Sequence, residues 1–227
     1  MAQTEQKNQN VKKQFEELQS LLERAMALQT SMVLFEWDDE TLAPKGAAEH
    51  TARVIGSLSE QYQEILASMR FKELLDACQK AEKENAGVFD EVQSAILREA
   101  AEEQERLSCI PPEEYRAYAE LTARATGIWT RAREKNDFAS FAPVLKEIIS
   151  YQKKFAAYRA KPGQKLYDVM LDTYEKGFNM EMLDPFFELM KGKIVPLLKE
   201  SAERSKTVPD AFLSADYPEA AQAEAAR

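Results

Sequence analysis

The sequence predicts an all-α protein, and three observations carry that prediction. Glycine is scarce, with seven in 227 residues. Ala, Leu, Glu, Lys, Gln and Met dominate, and these side chains lose little freedom in a helix. Apolar residues recur at steps of three and four, and no stretch between turn residues alternates apolar with polar as a half-buried strand would. The expected architecture is an elongated multi-helix array or bundle of about eight helices.

The first helix is expected over about 5–35. Phe15, Leu18, Leu22, Ala25 and Met32 form one apolar stripe, with one step of the period landing on Gln29. A second helix fits 47–70, with Ala52, Ile55, Leu58, Tyr62, Ile65 and Met69 on one face. Residues 71–86 read as a short helix or a broken extension, and Asn85-Ala86-Gly87 is the stop signal. Val88, Val92, Ala95 and Ile96 open a fourth helix, which Pro111-Pro112 must end because proline lacks the N–H and clashes with the preceding turn.

Pro112 followed by Glu113-Glu114 is a helix start with acids facing the positive end of the dipole. That helix carries Tyr115, Tyr118, Leu121, Ala125, Ile128, Trp129 and Ala132, and Asn136-Asp137 breaks it. Ser140 is expected to cap a sixth helix bearing Val144, Ile148, Phe155 and Tyr158, with Pro143 tolerable in its first turn. Lys161-Pro162-Gly163 reads as a loop, 166–176 as a short helix closed by Gly177, and 180–204 as a long helix that Pro196 would kink. After Thr207 the text turns Pro- and Ala-rich, so the division expected is a helical region over 1–205 and a tail over 206–227. No internal repeat is visible.

Composition excludes several classes. The net charge of -9 argues against nucleic acid or an anionic membrane as the main partner. No run approaches the roughly 18 apolar residues of a membrane span, and the polar start MAQTEQKNQNVKKQ has no secretory h-region. Cys78 and Cys109 stand apart, without a CxxC pair or a nearby histidine. A reducing, cytoplasmic setting follows as the expectation.

The stretch EWDDETLAPKGAAEH, residues 36–50, is the one that looks chemical. It holds the only histidine, His50. Zinc hydrolases need two or three histidines or cysteines converging on one ion, so neither an HExxH helix nor a bundle with paired ExxH motifs can be assembled from these residues. No serine sits in a GxSxG elbow, and no two glycines have phosphate-loop spacing. His50 beside Glu49 admits a general base with its orienting acid, against a solvated histidine on a first helical turn, which is the favoured reading. Asp38-Asp39-Glu40 could hold magnesium if a further acid followed, but Thr41-Leu42-Ala43 supplies none, so a solvated helix end is favoured. Trp37 and Trp129 read as core anchors. Met26, Met32, Met180, Met182 and Met190 read as gap-filling core positions. The stretch as a whole reads as a helix–loop–helix joint, with Trp37 packing the end of the first helix and Pro44 and Gly46 making the turn.

Set beside known families, WDDETLAPKGAAEHTARVIGSLS resembles the N-terminal signature of the carboxypeptidase Taq family of zinc metallocarboxypeptidases, through Trp37, Asp38, Thr41, Pro44, Gly46 and Ala47. Residues 129–156 are similar to the family's tryptophan helix and Asn-Asp-Phe turn, through Trp129, Ala132, Asn136, Asp137, Phe138, Phe141, Pro143 and Leu145. Residues 166–178 match its Tyr-Asp, Leu-Leu-Asp, Tyr-Glu-Pro-Gly segment, through Tyr167, Asp168, Leu171, Asp172, Tyr174, Glu175 and Gly177. Departures fall at Ala43, Thr51 and Lys176, on helix starts and turns.

The resemblance implies the N-terminal helical part of a larger gluzincin-like metallopeptidase. In that family a zinc ion, or another divalent metal, polarises a water that the HExxH glutamate deprotonates, and the water attacks the last peptide bond of a peptide substrate. The family's HExxH motif, glutamate ligand and substrate-binding motifs lie beyond the matched blocks, and ADYPEAAQAE resembles the segment just before the catalytic half. No matched position is a catalytic or metal-binding residue, so the expectation is no catalytic residue, no metal ligand and no cofactor in this chain, with substrate-binding residues unassigned. A homodimer is left open; nucleic acid and membrane are not expected. Two other classes stand beside this one: a stand-alone helical interaction or dimerisation module without catalytic activity, and an unrelated magnesium enzyme built on Asp38, Asp39 and Glu40.

Overall fold

The computed structural model describes the chain except residues 1, 45, 86, 207, 208, 210 and 227, and except the side chains of 2–5, 7, 8 and 212. The described residues are all-α, without a strand. Nine α-helices run in order: α1 Ala2–Thr41, α2 Ala48–Leu66, α3 Met69–Glu84, α4 Glu91–Ser108, α5 Pro112–Glu134, α6 Phe138–Arg159, α7 Leu166–Tyr174, α8 Met180–Ser205 and α9 Glu219–Ala225, with a 3-10 turn at Ala211–Ser214 between the last two. No helix among them is long and apolar enough to cross a membrane. The chain forms two compact units, residues 1–166 and 167–227.

In the first unit α2 is the central element, packed against α1 and α5 and touching α3 and α4; α6 lies on α5. Its small residues allow this. Ala52, Gly56 and Ser59 are buried, and a Cβ added to Gly56 would overlap the Glu120 side chain on α5. The core cluster joins α1 (Val11, Phe15, Leu18, Ala25) to α3 (Phe71, Leu74, Leu75, Cys78) and α4 (Leu97, Ala100, Leu107). Phe15 and Phe89 meet with ring centroids 5.1 Å apart, within the range that favours aromatic pairs.

Of the buried polar side chains described, Gln63 is the most enclosed. Gln63, fully buried, donates from Nε2 to the Leu107 carbonyl at 3.1 Å and to the Ile110 carbonyl at 2.6 Å. Leu107 lies in the last turn of α4 and Ile110 just beyond its cap, where a helix end leaves carbonyls short of donors. The Gln63 Oε1 has no partner, so the amide serves α4 through one end only.

The helix boundaries follow local chemistry, with some shifts from expectation. The first helix runs to Thr41, not to about 35, so the acids lie on its last turn and the loop is confined to 42–47. The 47–70 reading divides at Ser68, whose hydroxyl accepts from the Phe71 N–H and caps α3. Met69 is therefore a first-turn residue of α3 and is exposed. Asp90 caps α4 in a reciprocal box with Gln93. Asp137, not Ser140, caps α6, accepting from the Ser140 N–H at 3.2 Å. Asn136 takes the left-handed conformation, φ 50°, that breaks the chain between α5 and α6. The stop signal at 85–87 is in place as Asn85, the C-cap of α3, while Ala86 lies outside the described residues.

In the second unit α7 has one buried residue, Val169, and α8 has none. Asp168 and Asp172 shape the corner between them: the Asp168 Oδ1 accepts from the Met180 N–H and the Asp172 Oδ1 from the Gly177 N–H, both at 2.8 Å. Gly177 sits at φ +82°, where a side chain would be strained. Asn179 then caps α8.

Phe71, fully buried in the main cluster, gives a direct test of the core. Phe71→Ala should lower unfolding free energy by about 3–5 kcal/mol, read from urea denaturation. Burial pushes the Cys78 thiol up to about 11, from 9.0. A raised folded value means that the folded chain holds the proton more tightly, so this contribution is complete below about pH 9 and is lost as pH rises through 11. Stability measured by denaturation between pH 9 and 11 should fall less steeply in Cys78→Ala than in the parent chain.

Candidate functional site

The stretch 36–50 is a helix end, a turn and a helix start. Thr41 Oγ1 donates to the Trp37 carbonyl at 2.6 Å, and the Leu42 and Ala43 N–H groups both reach the Asp38 carbonyl. The Ala47 N–H closes a turn onto the Pro44 carbonyl at 2.8 Å. The joint is thus as expected, but the side chains are not arranged as a buried joint would be. Trp37 is 56% exposed and Leu42 73%, which corrects the reading of Trp37 as a core anchor.

Trp129 is likewise no core anchor. It is 44% exposed on α5, with the Arg133 guanidinium 5.2 Å from its ring centroid, a cation–π contact. Met26, Met182 and Met190 are exposed rather than gap-filling, and Met32 and Met180 are half-buried. The common reason is that helical periodicity places a residue on a face, while only a facing element buries it.

His50 is exposed on the first turn of α2. Its neighbour Glu49 is turned to Arg124 of α5 at 3.9 Å, a distant and largely solvated pair. Asp38 and Glu40 are exposed and Asp39 half-buried. They stand at the negative end of α1, whose last turn holds no base, where each acid opposes the macrodipole by about 0.3–1 kcal/mol. Among the described residues no three His, Cys, Asp or Glu side chains are placed to hold a metal ion. A catalytic zinc centre needs three protein ligands around an open position, and no such set stands among the described residues.

The most organised polar cluster lies elsewhere, where α2, α4, α5 and α6 meet. The Tyr62 hydroxyl donates to Glu103 Oε1 at 3.0 Å, and Arg106 forks onto the same carboxylate from Nε at 2.9 Å and from its terminal nitrogen at 2.5 Å. Burial, and then the Glu103 charge, push the Tyr62 phenol well above its ordinary range; burial does the same to Tyr115. Burial and the neighbouring Arg106 charge lower Arg159. Tyr118 packs on Tyr151 and Phe155 and is hydrogen-bonded by the Gln152 amide. Phenols held protonated in this way donate hydrogen bonds and do not act as bases, so the cluster ties helices together. Sequence reasoning did not single it out, because its members come from four helices and share no spacing.

Residues 17–227 match the model of the carboxypeptidase Taq (M32) metallopeptidase family. The chain is 32% identical over 204 residues to carboxypeptidase 1 of Bacillus subtilis, covering 90% of this chain and 40% of that protein. The BsuCP crystal structure superposes with a TM-score of 0.87 at 31% identity, over 94% of this chain and 42% of that one. Metallocarboxypeptidase 1 of Trypanosoma cruzi gives a TM-score of 0.69 at 26% identity, over 91% of this chain and 40% of that one. The chain thus spans about two-fifths of the length of the relatives it matches.

The Tyr62–Glu103 bond and the Glu49–Arg124 pair allow a paired test. Tyr62→Phe, which strips a half-buried carboxylate of a donor, should cost about 1.5 kcal/mol, whereas Glu49→Gln should change stability by less than about 0.5 kcal/mol. Thermal and urea denaturation of the two variants check this.

Proposed function

Because the chain belongs to the carboxypeptidase Taq (M32) metallopeptidase family, we propose that it forms the N-terminal helical part of a zinc-dependent carboxypeptidase that removes C-terminal amino acids from peptides. The zinc site with its HExxH motif is supplied by sequence outside residues 1–227. The observation that carries this reading is the superposition of nearly the whole chain on a little over two-fifths of one carboxypeptidase fold.

The helices of the first unit would then form one wall of a water-limiting groove around the hydrolytic centre. Residues 1–205 are the helical region and 206–227 the tail that leads toward the catalytic portion. Helix α8 supports this assignment. It has no buried residue, and Met182, Phe186, Phe187, Leu189, Ile194 and Leu198 are among its exposed apolar side chains. Apolar surface of that extent marks a contact with further protein. The free thiols Cys78 and Cys109 fit a reducing cytoplasm.

The role of this chain's own residues in the reaction is shape. They would exclude water and hold the wall, and a divalent metal held by the remainder of the fold would supply Lewis-acid chemistry. Incubated with zinc chloride and N-blocked peptides, the purified 227-residue chain should release no C-terminal amino acid and should retain less than one zinc per molecule after desalting. One tightly held zinc per chain, with trimming of the peptides, overturns the proposal.

A further inference from the structure

We propose that the last four turns of α1 are a docking face for a basic amphipathic helix, contributed by the part of the peptidase fold that these 227 residues do not span. The proposal rests on the reading of the chain as the N-terminal part of such a fold.

One side of these turns packs against α2, and the remaining sides expose apolar side chains. After Ala25 no residue of α1 is buried, and Val33, Leu34, Phe35 and Trp37 are 56%, 60%, 38% and 56% exposed. Val33 and Trp37 share one side, four residues apart, while Leu34 and Phe35 turn away from it, so apolar surface wraps much of the helix. An isolated exposed leucine needs no explanation, but a contiguous set of this kind does.

Charge selects the occupant. Glu36, Asp38, Asp39 and Glu40 crowd the same turns, and no Lys, Arg or His lies between Arg24 and Lys45. The carbonyl end of the helix adds further negative potential. A covering surface must therefore bring Lys or Arg beside its apolar side chains. A second copy of this chain, with net charge -9, meets the face with like charge, and an anionic lipid surface or nucleic acid is repelled. BsuCP has more than half of its chain outside the superposed region, and that portion of the fold is the source to which the proposal commits. The exposed apolar side of α8 gives no such single direction, because Glu181, Asp184 and Glu188 in its first half are balanced by Lys191, Lys193 and Lys199 in its second.

Trp37 reports on its own coverage. In a Trp129→Phe variant it is the one indole of the chain. Titration with a synthetic amphipathic peptide of Leu and Lys, about 18 residues or five turns long, should shift Trp37 emission to the blue and saturate, while a Leu/Glu peptide of the same pattern should not. Combining Glu36→Gln, Asp38→Asn, Asp39→Asn and Glu40→Gln should weaken binding roughly tenfold, the scale of several solvated charge pairs. The variant should melt no lower than the parent, since these sites are not buried and neutralising them relieves their opposition to the macrodipole. Neutralising Glu181, Asp184 and Glu188 on α8 should leave the affinity unchanged. Equal binding of the Leu/Glu peptide, or indifference to the α1 neutralisation, overturns the proposal. So does Trp37 emission that shifts with protein concentration in the absence of peptide, which would make a second copy the occupant. Zinc retention and peptide trimming by the chain alone would defeat the peptidase reading without moving this titration, so the two failures are distinguishable.

Discussion

The close packing of α2 against α5 sets the frame into which the other helices of residues 1–166 fit. At Gly56 there is no room for a side chain beside Glu120. Above and below that point the buried Ala52 and Ser59 keep the α2 surface thin. Glu60 and Glu49 on α2 face Arg116 and Arg124 on α5, at 2.8 and 3.9 Å, the order that an antiparallel pair of helices produces. With α2 so placed, its remaining sides meet α1 and the end of α4, and the Gln63 amide closes the latter contact by donating to the Leu107 and Ile110 carbonyls. Apolar burial supplies most of the driving force; the small residues and one amide decide the geometry.

Polar chemistry in this chain divides by burial. Exposed pairs such as Arg70 with Glu17 screen readily and contribute little. The Tyr62–Glu103–Arg106 set is half-enclosed, and each member satisfies another. The acids at the end of α1 are different again, since its last turn holds no base. A helix end that opposes its own dipole and exposes a tryptophan is poorly explained by the chain's internal contacts, and this sets it apart from the solvated helix faces elsewhere.

Several of the residues matched to the peptidase family build turns and helix caps. Asp168, Asp172 and Gly177 build the corner between α7 and α8 through two backbone hydrogen bonds and a left-handed turn. Asn136 and Asp137 break α5 from α6 and cap the latter. Pro44 and Gly46 lie in the joint between α1 and α2. Such positions are legible from sequence because turn and cap chemistry is local, acting over two to four residues.

The all-α class and most helix ends were therefore determined by the sequence alone, through helix-forming composition, a three-to-four apolar period and punctuation by proline, glycine, asparagine and aspartate. The family could be recognised there too, since its signatures are short local blocks. Only the tertiary structure decided which apolar side chains are covered. Trp37, Trp129 and Met26 have the same helical neighbours as buried residues, yet burial depends on whether another helix arrives, and that is a long-range fact. The Tyr62 cluster was hidden for the same reason: four helices contribute to it, and no spacing along one chain segment records which helices will meet.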